Sequence, residues 1–320
     1  MSLSTNVGKL NPLILQYSAV RAFVASSVTR AAEITFIPSE WPLSQSFSLG
    51  SDALQCGQST DQKISTLTLS EDNIDDSVRH AITKLSHLHY PSTEQCARRV
   101  ISMGEEPWRV HHSGCPSIDV LVHGQLTLPA ADYFANRGVG VFDPAEPYVL
   151  LLQHPVTTSF GSGGAQITES LYAVRDLPLN KLVLWPNADA GSDDVAKAIR
   201  DFQHDNGTLP FSYQINFPPD VFASLLANAK CLVGNSSSFI REGSFLGTPA
   251  VIVGDRQEGR EHGRNVVHAP YDRRAIGDAM RRQLEHGRYP GETIFGDGQA
   301  GARIAKHLET ARLDLRKRHA

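Results

Sequence analysis

From residue 148 to residue 269 the chain repeats one pattern, a short apolar run followed by a stretch of helical spacing. YVLLLQHP (148–155), KLVLWPN (181–187), FSYQINF (211–217), KCLVGN (230–235), PAVIVGD (249–255) and NVVHA (265–269) are the apolar runs. Between them stand ITESLYAVRDL (167–177), DDVAKAIRDFQHDNG (193–207), PDVFASLLANA (219–229) and a serine-led segment that begins at Ser236. Runs of this length separated by amphipathic helices cannot pair as hairpins. They require crossover connections, and so predict a parallel sheet with helices on both faces. A Pro near the start of 219–229 and glycines after 193–206 and after Leu246 supply helix start and stop signals.

Upstream the pattern changes. SVRHAITKLSHL (77–88) and EQCARRVISMG (94–104) read as helices, the second with a glycine stop. Residues 1–70 offer one candidate strand, EITFIP (33–38), and then SEWPLSQSFSLGSDALQCGQSTDQK (39–63), rich in Ser, Gln and Gly without a sustained period. The expected organisation is an atypical segment at 1–70, the remainder of a first domain at 71–125, a second domain at 126–305 and a basic helical tail at 306–320. At 320 residues there is room for two cores.

Composition narrows the function classes. A net charge of -4 argues against a general nucleic-acid binder, and the basic run from Arg312 to His319 reads as a solvated tail. LILQYSAVRAFVASSV (13–28) is interrupted by Gln16 and Arg21, and no apolar run reaches a membrane-spanning length. Cys56, Cys96, Cys115 and Cys231 lack metal-ligand spacing, and the last two sit in apolar runs as small core residues. A reduced, cytoplasmic setting is expected.

The chemistry-bearing segments all follow apolar runs, where a parallel sheet binds its ligands. Ser236, Ser237 and Ser238 open a helix whose N–H groups and positive dipole end suit a phosphate. One hydroxyl suffices for a plain N-cap, and no Glu or Gln three residues on completes a capping box. Glu242, one turn in, has the two oxygens a ribose diol needs, or is an exposed helical carboxylate. The loop GDRQEGREHGRN (254–265) carries Arg256, Arg260 and Arg264 among glycines. Such a loop either closes over a diphosphate or is merely solvated. His154 in QHPVT (153–157) is a donor to a phosphate or leaving group, or a structural histidine. Asn187 and Asp189 in NADAGSDD (187–194) face the same cleft or serve the turn.

In their order and spacing, QHPVT, WPNADAGSD, VGNSSSFIREGSFLGTP and GDRQEGR…NVV resemble the UDP-N-acetylglucosamine 2-epimerases. IDDSVRHAITKLSHLHYPST (74–93) and GCPSID (114–119) are similar to the DE-x-x-RHAITKLSHLHF and GxPxxD segments of the hydrolysing, sialic-acid-pathway branch. The resemblance runs from about residue 71 to 310. It implies an α/β fold with two facing Rossmann-like, GT-B-like domains, the N-terminal one incomplete here. It further implies UDP-GlcNAc or UDP as ligand, no metal, no cofactor and no membrane partner, and it is compatible with a homodimer. On the family pattern Ser236–Ser238 hold the diphosphate and Glu242 the ribose. His154 and Arg256 stand near the leaving group, Asn187 and Asp189 line the cleft, and Asp75 is a catalytic carboxylate with Asp76 beside it. His87 and His89 in SHLHY alternate as on a strand, and the resemblance gives them a structural role.

The chain also departs from the family. Residues 1–70 contain no GTR(A/P), GDR(F/Y)E or H-x-GGE segment. Counted back from Asp75, the glutamate of GGE falls near Thr68, whose hydroxyl cannot act as a general base. The resemblance therefore implies either a hydrolysing 2-epimerase or a non-catalytic relative that binds UDP or a UDP-sugar.

Overall fold

The computed structural model describes residues 74–135, 137–156, 159, 161–187, 189–207, 209–311, 314 and 316–318, with side chains from Arg79 onward. EITFIP, Cys56, Thr68 and the side chains of Asp75 and Asp76 lie outside that set. The chain divides into two compact units, Leu126–Ile294 and Val78–Gln125 with Phe295–Ala320, to which outlying segments are assigned.

In the first of these units the apolar runs become β2 (Tyr148–Leu152), β3 (Asn180–Leu184), β4 (Phe211–Gln214), β5 (Cys231–Gly234), β6 (Ala250–Val253) and β7 (Val266–Ala269). A two-residue strand, β1 (Gly138–Val139), completes a seven-stranded sheet in the order β1-β4-β3-β2-β5-β6-β7. Every pairing is parallel except β1 with β4, which is antiparallel. The predicted sheet is therefore the observed one. The edge strand β1 was not readable, because two residues are too few to show a period. Strands β2 through β6 are buried along nearly their whole length, which is why they read as continuous rather than alternating apolar runs.

Within this unit α4 (Ala131–Ala135) precedes the sheet, and α5 (Gly163–Arg175), α6 (Ser192–Asp205), α7 (Pro219–Asn228), α8 (Ser237–Leu246) and α9 (Arg273–His286) cover it. Ile167 and Leu171 of α5, Ile199 and Phe202 of α6 and Ile276 and Met280 of α9 bury one face against Val149, Val183, Val233 and Val251. On the other face α7 and α8 pack together. There Tyr148 donates its hydroxyl to Leu225 O at 2.7 Å and Thr248 donates to Leu226 O at 3.0 Å. Strand order reverses between β2 and β5: the chain runs outward to β3 and β4, then returns to β5 on the other side of β2. That reversal opens a crevice at the carboxyl ends of β2 and β5.

Gly234 is the residue that lets the crevice close at its base. Its φ is 131°, and a Cβ there would stand 2.0 Å from Leu152 O. Only glycine lets β5 pass this near to β2 in that conformation.

In the unit of Val78–Gln125 and Phe295–Ala320, α1 (Ile74–Leu85, of which the part from Val78 belongs here), α2 (Glu94–Ser102), α3 (Pro116–His123) and α10 (Ala300–Thr310) are joined by irregular chain. Among its described residues the only strand-like pairing is a parallel bridge between His89 and Val110. Asp119 of GCPSID caps α10 from outside, accepting from Ala300 N at 3.0 Å and Gly301 N at 2.7 Å, so its charge meets the helix's positive end. His89 is buried and lies 3.1 Å from Glu105, a structural placement. Beyond Thr310 the described residues are not helical and several of them dock, although the sequence suggests a solvated helical tail. Arg109, 1% exposed, donates to Asp314 O and Arg316 O, and Lys317 reaches Glu105 at 2.7 Å.

Cys115 and Cys231 are buried, as their apolar contexts predict, and burial pushes the Cys231 thiol up to about 12. Among the described residues no helix is long and apolar enough to cross a membrane, and no group of three His, Cys, Asp or Glu is placed to hold a metal.

Candidate functional site

The site is built from what the sheet delivers to the crevice. Strand β2 ends and passes the chain to Gln153 and His154; β5 ends and passes it to Asn235 and the three serines. The two ends are tied by a reciprocal pair. Asn235 Oδ1 accepts from His154 N at 2.7 Å, and Asn235 Nδ2 donates to His154 O at 2.9 Å. Asn235 is fully buried, so these bonds are shielded from water and fix both loop starts. Behind them Ser170 of α5 donates to Gln153 Oε1 at 2.6 Å and holds that side chain within the core.

Helix α8 begins as the sequence suggests. Ser236 is its N-cap, with an extended backbone and a side chain that accepts from Ser238 N. Gly247 ends it in the left-handed conformation at φ 67°, and Pro249 follows. One hydroxyl thus performs the cap; Ser237 and Ser238, both buried, stand in the first turn beside it. A helix start that carries hydroxyls inside a buried crevice combines N–H groups, dipole and side-chain donors in one place.

His154 is 4% exposed, and its Nδ1 accepts from Asn187 N at 3.2 Å. That bond requires a bare Nδ1, so in the neutral ring the proton resides on Nε2, which makes Nε2 a donor. Asn187 therefore acts through its backbone, setting the tautomer, while its side chain is exposed. Arg256 comes from the loop after β6. Its guanidinium lies 3.9 Å from the Asp189 carboxylate and donates to Asn235 O at 3.4 Å. Gln257, 2% exposed, donates to the same carbonyl at 2.8 Å. Glu242 is 8% exposed and paired with Arg241 at 3.3 Å, so it is a buried carboxylate rather than a solvated one.

His154, Asn187, Asp189, Ser236, Ser237, Ser238, Glu242 and Arg256 thus all fall on the loops and the first two helical turns at the carboxyl side of β2, β3, β5 and β6. Asp75 falls on α1, and its side chain is outside the description. Two residues were missed by sequence reasoning. Asn235 was passed over as part of a turn, although its position between strand and N-cap was visible. Gln257 was hidden among the arginines, and only the fold could bring it under Asn235. A separate cavity of about 350 Å³, lined by residues such as Val139, Arg200, Phe211 and Tyr213, lies at the β1–β4 edge, away from these groups.

The arrangement offers convergent donors to an anion: the α8 N-terminus with its serines, His154 Nε2 and Arg256. Buried donors of this kind, fixed before a ligand arrives, stabilise negative charge without reorganisation.

Comparison with known proteins gives the family of the chain. The family described as UDP-N-acetylglucosamine 2-epimerase matches residues 66–309. A UDP-N-acetylglucosamine 2-epimerase of Neisseria meningitidis serogroup B is 31% identical over 251 residues, covering 77% of this chain and 64% of that protein. A UDP-N,N'-diacetylbacillosamine 2-epimerase (hydrolyzing) of Legionella pneumophila is 32% identical over 237 residues, covering 74% of this chain and 61% of that one. The chain therefore spans less than two thirds of the length of these relatives. Among solved structures, UDP-GlcNAc 2-epimerase from Neisseria meningitidis bound to UDP-GlcNAc superposes with a TM-score of 0.57 at 16% identity. It covers 74% of this chain and 65% of that one, and supports the same Rossmann-like, GT-B-like α/β fold. A matched stretch this long, joined to the motifs at the sheet's carboxyl ends, places the chain in the UDP-N-acetylglucosamine 2-epimerase family.

Proposed function

We propose that the chain binds UDP-GlcNAc through the crevice at the β2–β5 reversal and converts it, with water, to N-acetylmannosamine and UDP. The observation that supports this most is the convergence of the α8 serines, His154 and Arg256 on one buried crevice. In this reading the diphosphate sits at the α8 N-terminus and Glu242 takes the ribose hydroxyls. Asp189 holds Arg256 in place through their ion pair.

The reaction has two halves. In the first, a carboxylate takes the C2 proton while the C1–O bond breaks, its electrons leaving with UDP and a C1=C2 double bond forming in 2-acetamidoglucal. In the second, water adds across that bond, its oxygen to C1 and a proton to C2 from the opposite face. The C2 proton is weakly acidic, so the first half needs both a base and strong stabilisation of the departing UDP. Asp75 is the proposed base. His154 and Arg256, with the α8 dipole, are the proposed stabilisers.

A second reading, a binder of UDP or a UDP-sugar without turnover, is favoured by the sequence, in which the position of the family's GGE glutamate, counted back from Asp75, falls near Thr68. Incubation with UDP-GlcNAc in D₂O separates the two. Turnover predicts UDP and N-acetylmannosamine deuterated at C2; UDP affinity without products selects the binder. In either case Ser237→Ala and Glu242→Ala are each expected to weaken UDP about tenfold or more, the worth of one charge-assisted hydrogen bond. Unchanged affinity in both variants would remove the nucleotide from this crevice.

A further inference from the structure

Three buried side-chain atoms gathered around Asn235 have no hydrogen-bond partner among the described residues: Arg256 Nε, Gln257 Oε1 and the Tyr271 hydroxyl. Asn235 is their common neighbour. Its carbonyl takes Gln257 Nε2 at 2.8 Å and Arg256 Nη1 at 3.4 Å, and its side-chain amide adjoins the Tyr271 phenol without a hydrogen bond of normal geometry. Tyr271 follows β7 and lies across Gly254, whose φ is 76° and where a Cβ would come within 2.1 Å of the tyrosine ring. Glycine at 254 therefore leaves the space that Tyr271 fills. Burial pushes the phenol up to about 12, so it keeps its proton.

Buried polar groups are ordinarily paired, and one left unpaired is costly. Here the chemistry of the three is mixed. Arg256 Nε can only donate. Gln257 has spent its Nε2 on Asn235, so its Oε1 remains as an acceptor. The Tyr271 hydroxyl can do either. An inorganic diphosphate supplies acceptors and, near neutral pH, one O–H shared among its oxygens, but no hydroxyl or N–H fixed beside the anion for Gln257 Oε1. A ligand with an O–H or N–H beside its anion, such as a nucleotide sugar, matches all three.

The geometry points to Gln257 and Tyr271 as ligand-contacting residues flanking Arg256, which select an anion that carries a hydrogen-bond donor next to it. This inference rests on the nucleotide-sugar reading above. Titration calorimetry on the full chain, with UDP-GlcNAc and with inorganic diphosphate, tests it alongside thermal unfolding. Tyr271→Phe is expected to weaken UDP-GlcNAc about tenfold while leaving the ligand-free unfolding midpoint unchanged or raised. Loss of a hydroxyl with a merely structural bond would lower that midpoint. Gln257→Leu is expected to weaken UDP-GlcNAc more than tenfold and inorganic diphosphate by less than about threefold. Affinity for UDP-GlcNAc within twofold of wild type in Tyr271→Phe, or a lowered midpoint, overturns the inference while the nucleotide site stands. A wild-type chain that binds UDP-GlcNAc no better than inorganic diphosphate overturns both.

Discussion

Asn235→Ala is expected to lower the stability of the chain by about 3 kcal/mol and to abolish measurable UDP binding. The substitution leaves the buried N–H and C=O of His154 without the amide that now pairs them at 2.7 and 2.9 Å. Each such orphan costs about 1–3 kcal/mol. The loss is not confined to stability, because this pair sets the spacing of the β2 and β5 loops and the carbonyl of Asn235 anchors both Gln257 and Arg256. Asn235→Asp is a sharper variant. It keeps an acceptor for His154 N, removes the donor to His154 O and adds a negative charge where the diphosphate is proposed to lie. Its expected signature is a smaller stability loss with an equal loss of UDP affinity, read from urea unfolding and calorimetry.

The second large effect lies in the other unit. Glu105→Ala is expected to cost about 2–3 kcal/mol, because it removes the buried acceptor that His89, Lys84 and Lys317 share, while the two lysines left behind can reach water. Glu105 is 2% exposed and meets Lys317 at 2.7 Å, His89 at 3.1 Å and Lys84 at 3.2 Å. Burial by itself would raise its carboxyl, but the hydrogen bonds from Lys317, Lys84 and His89 prevail and hold it below its ordinary 4.5. His89 is held below its ordinary 6.5, chiefly by burial.

Both shifts act in one direction. The unfolded chain binds the His89 proton near pH 6.5 while the folded chain refuses it until the pH is lower, so stability falls as pH drops below about 6.5. Glu105 adds a further loss below about 4.5, as the folded carboxylate resists a proton that the unfolded one accepts. Unfolding midpoints measured from pH 8 to pH 4 are therefore expected to decline in two stages. In Glu105→Gln the lower stage should shrink without vanishing, because Glu106, Asp176 and Asp297 are also held low by their arginine partners. A midpoint that rose on acidification would contradict the arrangement.

The sheet was legible because buried parallel strands leave an unmistakable trace: short apolar runs, each followed by a helix with its own start and stop. The serine-led helix was legible for the same reason, since Gly247 and Pro249 mark its end. What the sequence conceals is whatever depends on contacts between distant segments. Asn235 looks like any turn residue until β2 is known to lie beside β5. Tyr271 is separated from Gly254 by a full strand, and neither residue hints at the other. Glu105 and Lys317 are more than two hundred residues apart, so the basic tail could only be read as solvated charge. Helices α3 and α9 went unread since charged residues interrupt their apolar stripes or their length is small, and α10 was expected only from residue 306 onward, as part of a basic helical tail.

The central claim is that the crevice at the β2–β5 reversal holds the diphosphate of UDP. A crystal structure of the chain grown with millimolar UDP tests it most directly. The predicted result is a diphosphate at the first turn of α8, with oxygens at hydrogen-bond distance, about 2.7–3.2 Å, from the Ser236–Ser238 segment, His154 Nε2 and Arg256. UDP seated instead in the cavity at the β1–β4 edge, or a crevice without nucleotide at that concentration, would contradict it.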